Sequence, residues 1–165
     1  MGFEPSTATS MPERVNKAED YPTGKFANRS MVRVVVFQIL YQEELNPDSL
    51  AALSDSYIVQ ELPRHEPLHK FARQLLDNAI AHREAIDKQL ATLSRNWTLA
   101  RMSPVDRSIL RLAVSEILYT GTPRAIAINE AIELAKKFGS KDSPAFINGI
   151  LDQVQCPAEE PEPQS

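Results

Sequence analysis

The sequence predicts an all-α protein, a helical bundle of about seven helices arranged in two halves. Apolar residues recur at three- and four-residue spacing along most of the chain, which is the pattern of amphipathic helices. Proline stands at several candidate helix starts and glycine at two candidate ends. The 165 residues include only five glycines and no Asn-Gly turn between alternating segments, which argues against a β fold.

Composition divides the chain into one domain and two tails. Residues 1–23 mix Pro, Ser, Thr and charged residues without periodicity, which predicts a flexible N-terminal arm. Residues 156–165 are acidic and rich in proline, which predicts a disordered tail after a helical domain over residues 24–155. Cys156 is the single cysteine, and the sequence shows neither a signal peptide nor a bilayer-length apolar run. These features predict a cytoplasmic protein without membrane contact.

The first half is predicted to hold four helices. The first begins near Gly24, and its apolar spacing favours a helix although the β-branched run Val34–Val36 would also suit a strand. Asn46-Pro47-Asp48 is predicted to break the chain and cap a second helix. A third helix is predicted at roughly Leu68–Ala81, followed after a bend by a fourth over His82–Ser94.

The second half is predicted to hold three helices in tandem. Ser103 followed by Pro104 is a typical helix start, and Asp106 is placed to complete a capping box. This helix is apolar on most of its circumference, which predicts a central position in the bundle. Gly121 is predicted to end it, and Gly139 to end the next helix.

The two following helices are predicted to start in the same way. Thr122 is the predicted cap of the first, with Pro123 in its first turn. Asp142 or Ser143 is the predicted cap of the second, which begins with a proline. Arg95–Thr98 is predicted to link the two halves, and the side chain of Trp97 is predicted to fill the junction between them.

One short motif has the letter pattern of a zinc protease. His65-Glu66-Pro67-Leu68-His69 reads HExxH, a spacing that brings both histidines to one face of a helix. Pro67 disfavours helical geometry at Glu66, so the five residues are predicted to bridge a loop and a helix start instead. The sequence contains no phosphate-binding glycine loop and no nucleophile elbow. No catalytic residue, metal or cofactor is therefore predicted.

The first helix carries a basic row. Lys25, Arg29 and Arg33 step by four residues, with Gln38 and Tyr41 further along the same helix. Cations that hold phosphates beside a ring that stacks on a base suit single-stranded RNA. The alternative is an ordinary solvated face, because the net charge is −4 and the residues carry no RNA-binding fold signature.

A second polar signal lies on the predicted central helix. Arg107 and Arg111 interrupt its apolar surface one turn apart. An otherwise buried helix has to expose a polar stripe somewhere, but this stripe could equally contact a partner protein.

Three segments of the chain carry a family pattern. The longest, AINEAIELAKKFGSKDSPAFINGILDQV, runs from Ala127 to Val154. SPVDRSILRLAVSEILY precedes it, and VVVFQILYQEE lies in the first helix. These segments resemble the NusB family of bacterial transcription antitermination factors, and the resemblance extends from Lys25 to Val154.

The resemblance implies a two-part helical protein that binds RNA and is not an enzyme. The family binds the boxA element of ribosomal RNA leaders together with NusE, a small-subunit ribosomal protein, so these are the expected partners. The RNA polymerase elongation complex is an indirect partner. The predicted RNA-binding residues include the basic row on the first helix and three residues of the C-terminal segment. They are Lys25, Arg29, Arg33, Gln38, Tyr41, Asp142, Phe146 and Asn148. The predicted partner-binding residues are Asp106, Arg107 and Arg111.

The chain departs from the family pattern at one place. Family members often carry a denser arginine run where this sequence has Asn28-Arg29-Ser30-Met31. Fewer cations predict fewer phosphate contacts and a weaker salt dependence of RNA binding.

Two alternative functions stay open at this point. The same helical module occurs as the RNA-binding N-terminal domain of ribosomal RNA cytosine methyltransferases, which need a cofactor-binding domain downstream. A protein-only helical adaptor would leave the basic row as a solvated face. The sequence does not decide between a monomer and a homodimer.

Overall fold

The described part of the chain is entirely helical. The computed structural model describes residues 25–94 and 101–155, which form seven α-helices and no strand. The helices are α1 Lys25–Leu45, α2 Leu50–Glu61, α3 Glu66–Ala81, α4 Arg83–Leu93, α5 Pro104–Ser115, α6 Arg124–Phe138 and α7 Ser143–Leu151. The all-α prediction is confirmed. The predicted arm, the linker around Trp97 and the acidic tail lie outside the described residues.

The chain divides into two compact units. Among the described residues, unit 1 ends at Leu76 and unit 2 begins at Asp77, so the division falls within α3. A bend at His82 separates α3 from α4, as the sequence predicted. Within the described residues, no helix is both long enough and apolar enough to cross a bilayer.

In unit 1, α1 is a buried helix. Every residue from Val32 to Leu40 is buried, so the middle of the helix is covered on all sides. A 3-10 turn at Pro47–Ser49 leads into α2, which packs on α1 and contributes the fully buried Ile58. The helix prediction for α1 is confirmed, because packing on all sides outweighs the strand preference of its valines.

In unit 2, α5 occupies the central position that its sequence predicted. It packs against α4, α6 and α7. Its buried residues lie on most of its circumference and include Ile109, Leu110, Leu112, Ala113 and Val114. A helix in contact with three others needs apolar side chains on several faces, which explains this pattern.

The predicted boundaries of α5 are mostly confirmed. The Ser103 hydroxyl accepts a hydrogen bond of 3.1 Å from the backbone N–H of Asp106. The Asp106 Oδ1 atom is buried without a hydrogen-bond partner, so this oxygen does not complete the reciprocal capping box. A π turn over Glu116–Thr120 extends α5 to Gly121, whose φ of 74° provides the left-handed end.

The predicted start of α6 needs correction, whereas the predicted N-cap position of α7 is confirmed. Thr122 does not cap α6, which begins at Arg124 after Pro123 in the N-cap position. The Thr122 hydroxyl instead donates to the carboxylate of the buried Glu116 at 3.1 Å, because the π turn places that group nearby. Asp142 occupies the N-cap position of α7 without a side-chain bond to the helix.

Candidate nucleic-acid interface

The beginning of α1 brings two of the predicted cations against one aromatic ring. The guanidinium carbon of Arg29 lies 4.9 Å from the centroid of the Phe71 ring on α3, and that of Arg33 lies 5.4 Å away. Residues four apart share one side of a helix, so both guanidinium groups reach the same ring. An aromatic face attracts a cation within about 6 Å. In the sequence, Phe71 had the pattern of a core residue only.

The two arginines differ in their access to solvent. Arg29 is exposed, whereas only 3% of Arg33 is accessible. The expected exposed row of cations is therefore wrong at Arg33, because α1 is already covered on that side one turn after Arg29. The side chain of Lys25 lies outside the described residues. Arg29 is thus the cation of this row that the structure places within reach of a phosphate.

Gln38 and Tyr41 also differ. Gln38 is only 4% exposed, and its Oε1 atom accepts a hydrogen bond of 2.8 Å from the Tyr57 hydroxyl on α2. The expectation that Gln38 faces RNA is therefore wrong, since its amide oxygen joins α1 to α2. Tyr41 is half-buried, with its ring centroid 6.0 Å from that of Phe37. The ring of Tyr41 therefore lies beside Phe37 and is partly exposed to solvent.

The other predicted RNA-binding residues lie in unit 2, at the N-cap of α7 and within that helix. Asp142 is exposed, and its carbonyl accepts the backbone N–H of Phe146 at 3.1 Å. Phe146 and Asn148 are half-buried. Asp142 and Phe146 are four residues apart and share a side of α7, whereas Asn148 points elsewhere around the helix. Lys141 is exposed in the turn before α7 and was not singled out in the sequence.

The three predicted partner-binding residues lie on α5, and two of them bond within the protein. Arg107 Nη1 donates to the carbonyl of Met102 at 3.1 Å. Arg111 forms a bidentate ion pair with Asp87 on α4, with Nε–Oδ1 at 2.8 Å and Nη2–Oδ2 at 2.9 Å. The Arg111 side chain is only 12% exposed. These contacts favour a structural role for both arginines, and partner binding by this set stays a prediction.

The Arg111–Asp87 pair is expected to stabilise unit 2. Asp87→Ala should lower the free energy of unfolding by about 1–2 kcal/mol, because it leaves a mostly buried guanidinium without its carboxylate. Urea denaturation followed by circular dichroism measures this. The matched control is Asp55→Ala, which removes a surface pair with Arg73 whose side chains are 81% and 42% exposed. That variant should change stability by less than about 0.5 kcal/mol. Equal losses in the two variants would contradict the structural role.

The HExxH segment bridges a loop and a helix start, as predicted, but Glu66 is helical although Pro67 was expected to disfavour that geometry. Proline is tolerated in the first turn because its missing N–H has no intrahelical partner there. His65 precedes α3 and is exposed, whereas α3 begins at Glu66 and His69 is buried one turn later. The Nε2 atom of His69 lies 2.9 Å from the carbonyl oxygen of Pro63, so this ring is bonded to the preceding loop. Across residues 25–94 and 101–155, no three His, Cys, Asp or Glu side chains are grouped to hold a metal ion.

Comparison with known proteins assigns the chain to a family. The NusB family model matches residues 30–156. The chain belongs to the NusB family. The transcription antitermination protein NusB of Geobacter sulfurreducens is 41% identical over 127 residues, which cover 76% of this chain and 92% of that protein. That relative is named as a transcription antitermination protein, which agrees with the prediction of a protein that is not an enzyme.

Solved structures of NusB proteins share the fold. T. maritima NusB is 33% identical with a TM-score of 0.68, covering 76% of this chain and 88% of that one. A chain from the crystal structure of antitermination factors NusB and NusE in complex with dsRNA has a TM-score of 0.69. It is 24% identical and covers 76% of this chain and 93% of its own length, and at that identity it shows the fold alone.

Proposed function

We propose that this protein is an antitermination factor that binds the boxA element of ribosomal RNA leaders as single-stranded RNA. It acts together with NusE, and through that complex it contacts the RNA polymerase elongation complex indirectly. The observation that carries the proposal is the NusB family match over residues 30–156. The exposed Arg29, held against Phe71, supports it with a group suited to phosphate.

The proposed binding requires no chemistry on the RNA. The guanidinium of Arg29 binds a phosphate through its N–H groups, and the partly exposed ring of Tyr41 stacks on an unpaired base. The net charge of −4 means that attraction is local and that few phosphates are contacted. The exposed Lys141 and the half-buried Phe146 offer the same pair of groups, a cation and a ring, in unit 2.

The aromatic groups support binding to single-stranded rather than double-stranded RNA. A-form duplexes are recognised mainly by shape and by contacts to phosphates and 2′-hydroxyls, whereas stacking on a ring needs an unpaired base. Partly open rings such as Tyr41 therefore favour a single strand. The solved NusB and NusE complex contains dsRNA, so a duplex competitor belongs in the test.

The test is a gel-shift titration of a boxA-containing leader RNA, with and without purified NusE. Arg29→Gln should weaken binding about three- to ten-fold and reduce the slope of log K against log salt by about 0.7, the loss of one phosphate contact. Lys88→Gln, at an exposed position on α4, makes the same change of net charge and should leave both quantities unchanged. Equal binding of the leader, a scrambled RNA and a duplex would contradict the proposal.

A protein-only adaptor is the second candidate. The burial of Arg33 and Gln38 favours it, since two residues expected to face RNA do not reach the surface. It predicts that purified NusE binds with the same affinity before and after ribonuclease treatment and that the leader RNA adds nothing. RNA-dependent strengthening of the NusE complex would exclude it.

A further inference from the structure

Phe71 is the aromatic residue against which Arg29 and Arg33 pack, and none of the predicted sites includes it. We propose that Phe71 is a positioning residue for RNA binding, whose ring holds the guanidinium of Arg29 in the orientation that receives a phosphate. The buried Arg33 completes the arrangement as a structural cation rather than an RNA contact. This inference rests on the proposed function and names a further residue on which it depends.

The geometry of the ring supports this role. Both guanidinium carbons lie within the range of a cation–π contact, at 4.9 Å for Arg29 and 5.4 Å for Arg33. On α3, the positions around Phe71 are anchored in the core, since Leu68 is 7% exposed and Ala72 fully buried. The helix that carries the ring is therefore fixed, and the ring is a stable platform.

The burial of Arg33 limits where the ring can contribute to binding. Arg33 is 3% exposed and has further bonding partners within the protein, so the RNA does not reach its guanidinium. Arg29 is exposed and touches the same ring. Of the two cation–π contacts at this ring, the one with Arg29 therefore lies where RNA can reach it.

The energetic reason is preorganisation. A free arginine side chain samples many rotamers, and ordering it on binding costs conformational free energy. A guanidinium stacked on a ring has already lost part of that freedom, while its N–H groups at the edge stay available for a phosphate. An ammonium group is a compact and strongly hydrated charge without a flat face, so a lysine at this position would not be held in the same way.

The experiment compares ring substitutions at position 71 in the full chain, with the boxA-containing leader RNA as the probe. Phe71→Leu keeps an apolar side chain but removes the π face, and it should weaken RNA binding about two- to five-fold. Phe71→Tyr keeps the π face and should restore affinity to within about two-fold of the unmodified protein. In an Arg29→Gln background, Phe71→Leu should cause no further loss, since the two residues act as one unit.

Two measurements separate positioning from simple stability. Ile58→Val removes one methylene from the core of unit 1 without altering the aromatic ring or either arginine, and it should lower the urea midpoint without changing RNA affinity. If the circular dichroism of Phe71→Leu shows that it does not fold, Arg29→Lys is used instead, because it keeps the charge but removes the flat guanidinium that packs on the ring. It should also bind RNA about two- to five-fold more weakly.

The possible failures are distinguishable. Absence of boxA binding by the unmodified protein, with and without NusE, overturns the proposed function and the inference together. Normal binding with additive losses from Phe71→Leu and Arg29→Gln overturns the inference alone. Unchanged affinity of Arg29→Lys, or equal affinities of Phe71→Leu and Phe71→Tyr, also overturns it while leaving the proposed function in place.

Discussion

Arg33→Glu is expected to lower the free energy of unfolding by at least about 3 kcal/mol. The substitution places a carboxylate at a position that is 3% exposed, and it removes a guanidinium that packs on Phe71. The face of an aromatic ring is negative, so it repels the new charge that replaces the cation. A loss of this size is a large part of the stability of a typical domain. Urea denaturation followed by far-ultraviolet circular dichroism measures it.

The matched control lies one turn earlier on the same helix. Arg29→Glu makes the same change of charge at an exposed position and should lower the free energy of unfolding by no more than about 1 kcal/mol, the size of an exposed cation–π contact, while RNA affinity falls. The single variants therefore separate two effects that a combined Arg29→Glu and Arg33→Glu variant would mix. Comparable urea midpoints for Arg33→Glu and Arg29→Glu would show that Arg33 is not enclosed.

Gly139→Ala is expected to destabilise the junction of α6 and α7 by about 1–3 kcal/mol. A Cβ atom at this position would lie 2.6 Å from the Cβ and Oγ atoms of Ser143 and 2.8 Å from the carbonyl oxygen of Ala135. Real Cβ atoms do not approach other atoms so closely, so the turn would have to move. Ser143 is 2% exposed, and its hydroxyl accepts the backbone N–H of Ser140, so the turn has little room for adjustment.

Gly149→Ala is the control for this prediction. Gly149 lies within α7, and a Cβ atom there would have no neighbour within 4 Å. Alanine should stabilise the helix by about 0.5–1 kcal/mol, because glycine has greater conformational freedom in the unfolded chain. Thermal melting of the two variants should therefore shift in opposite directions. A raised melting temperature for Gly139→Ala would contradict the prediction, because it would show that the turn makes room for the Cβ atom without loss of stability.

Helix identity and several boundaries were predictable from local sequence. Ser103 caps α5 because a serine hydroxyl can accept a backbone N–H without help from distant residues. Gly121 and Gly139 end their helices where the sequence placed the ends. The bend at His82 was also predicted. Each of these features depends on residues within one or two turns, which a single sequence displays.

The residues whose environment was predicted wrongly are those that contact distant parts of the chain or an irregular turn. Arg33 belongs to the same stripe as Arg29 by helical spacing, and only the surrounding tertiary structure separates the buried residue from the exposed one. Gln38 is buried against Tyr57, 19 residues away. Thr122 failed as a cap because the π turn offers it the carboxylate of Glu116. Nothing in the local sequence distinguishes these polar residues from solvent-facing ones.

The burial of the middle of α1 limits which positions of this helix can vary among family members. Between Val32 and Leu40 every substitution must satisfy neighbours on all sides, so selection is expected to accept few changes there. Arg29 and the adjoining Ser30 and Met31 lie outside that segment. Under the proposed function, gains and losses of arginine in this first part of the helix would change the affinity for RNA between lineages while leaving the fold unchanged.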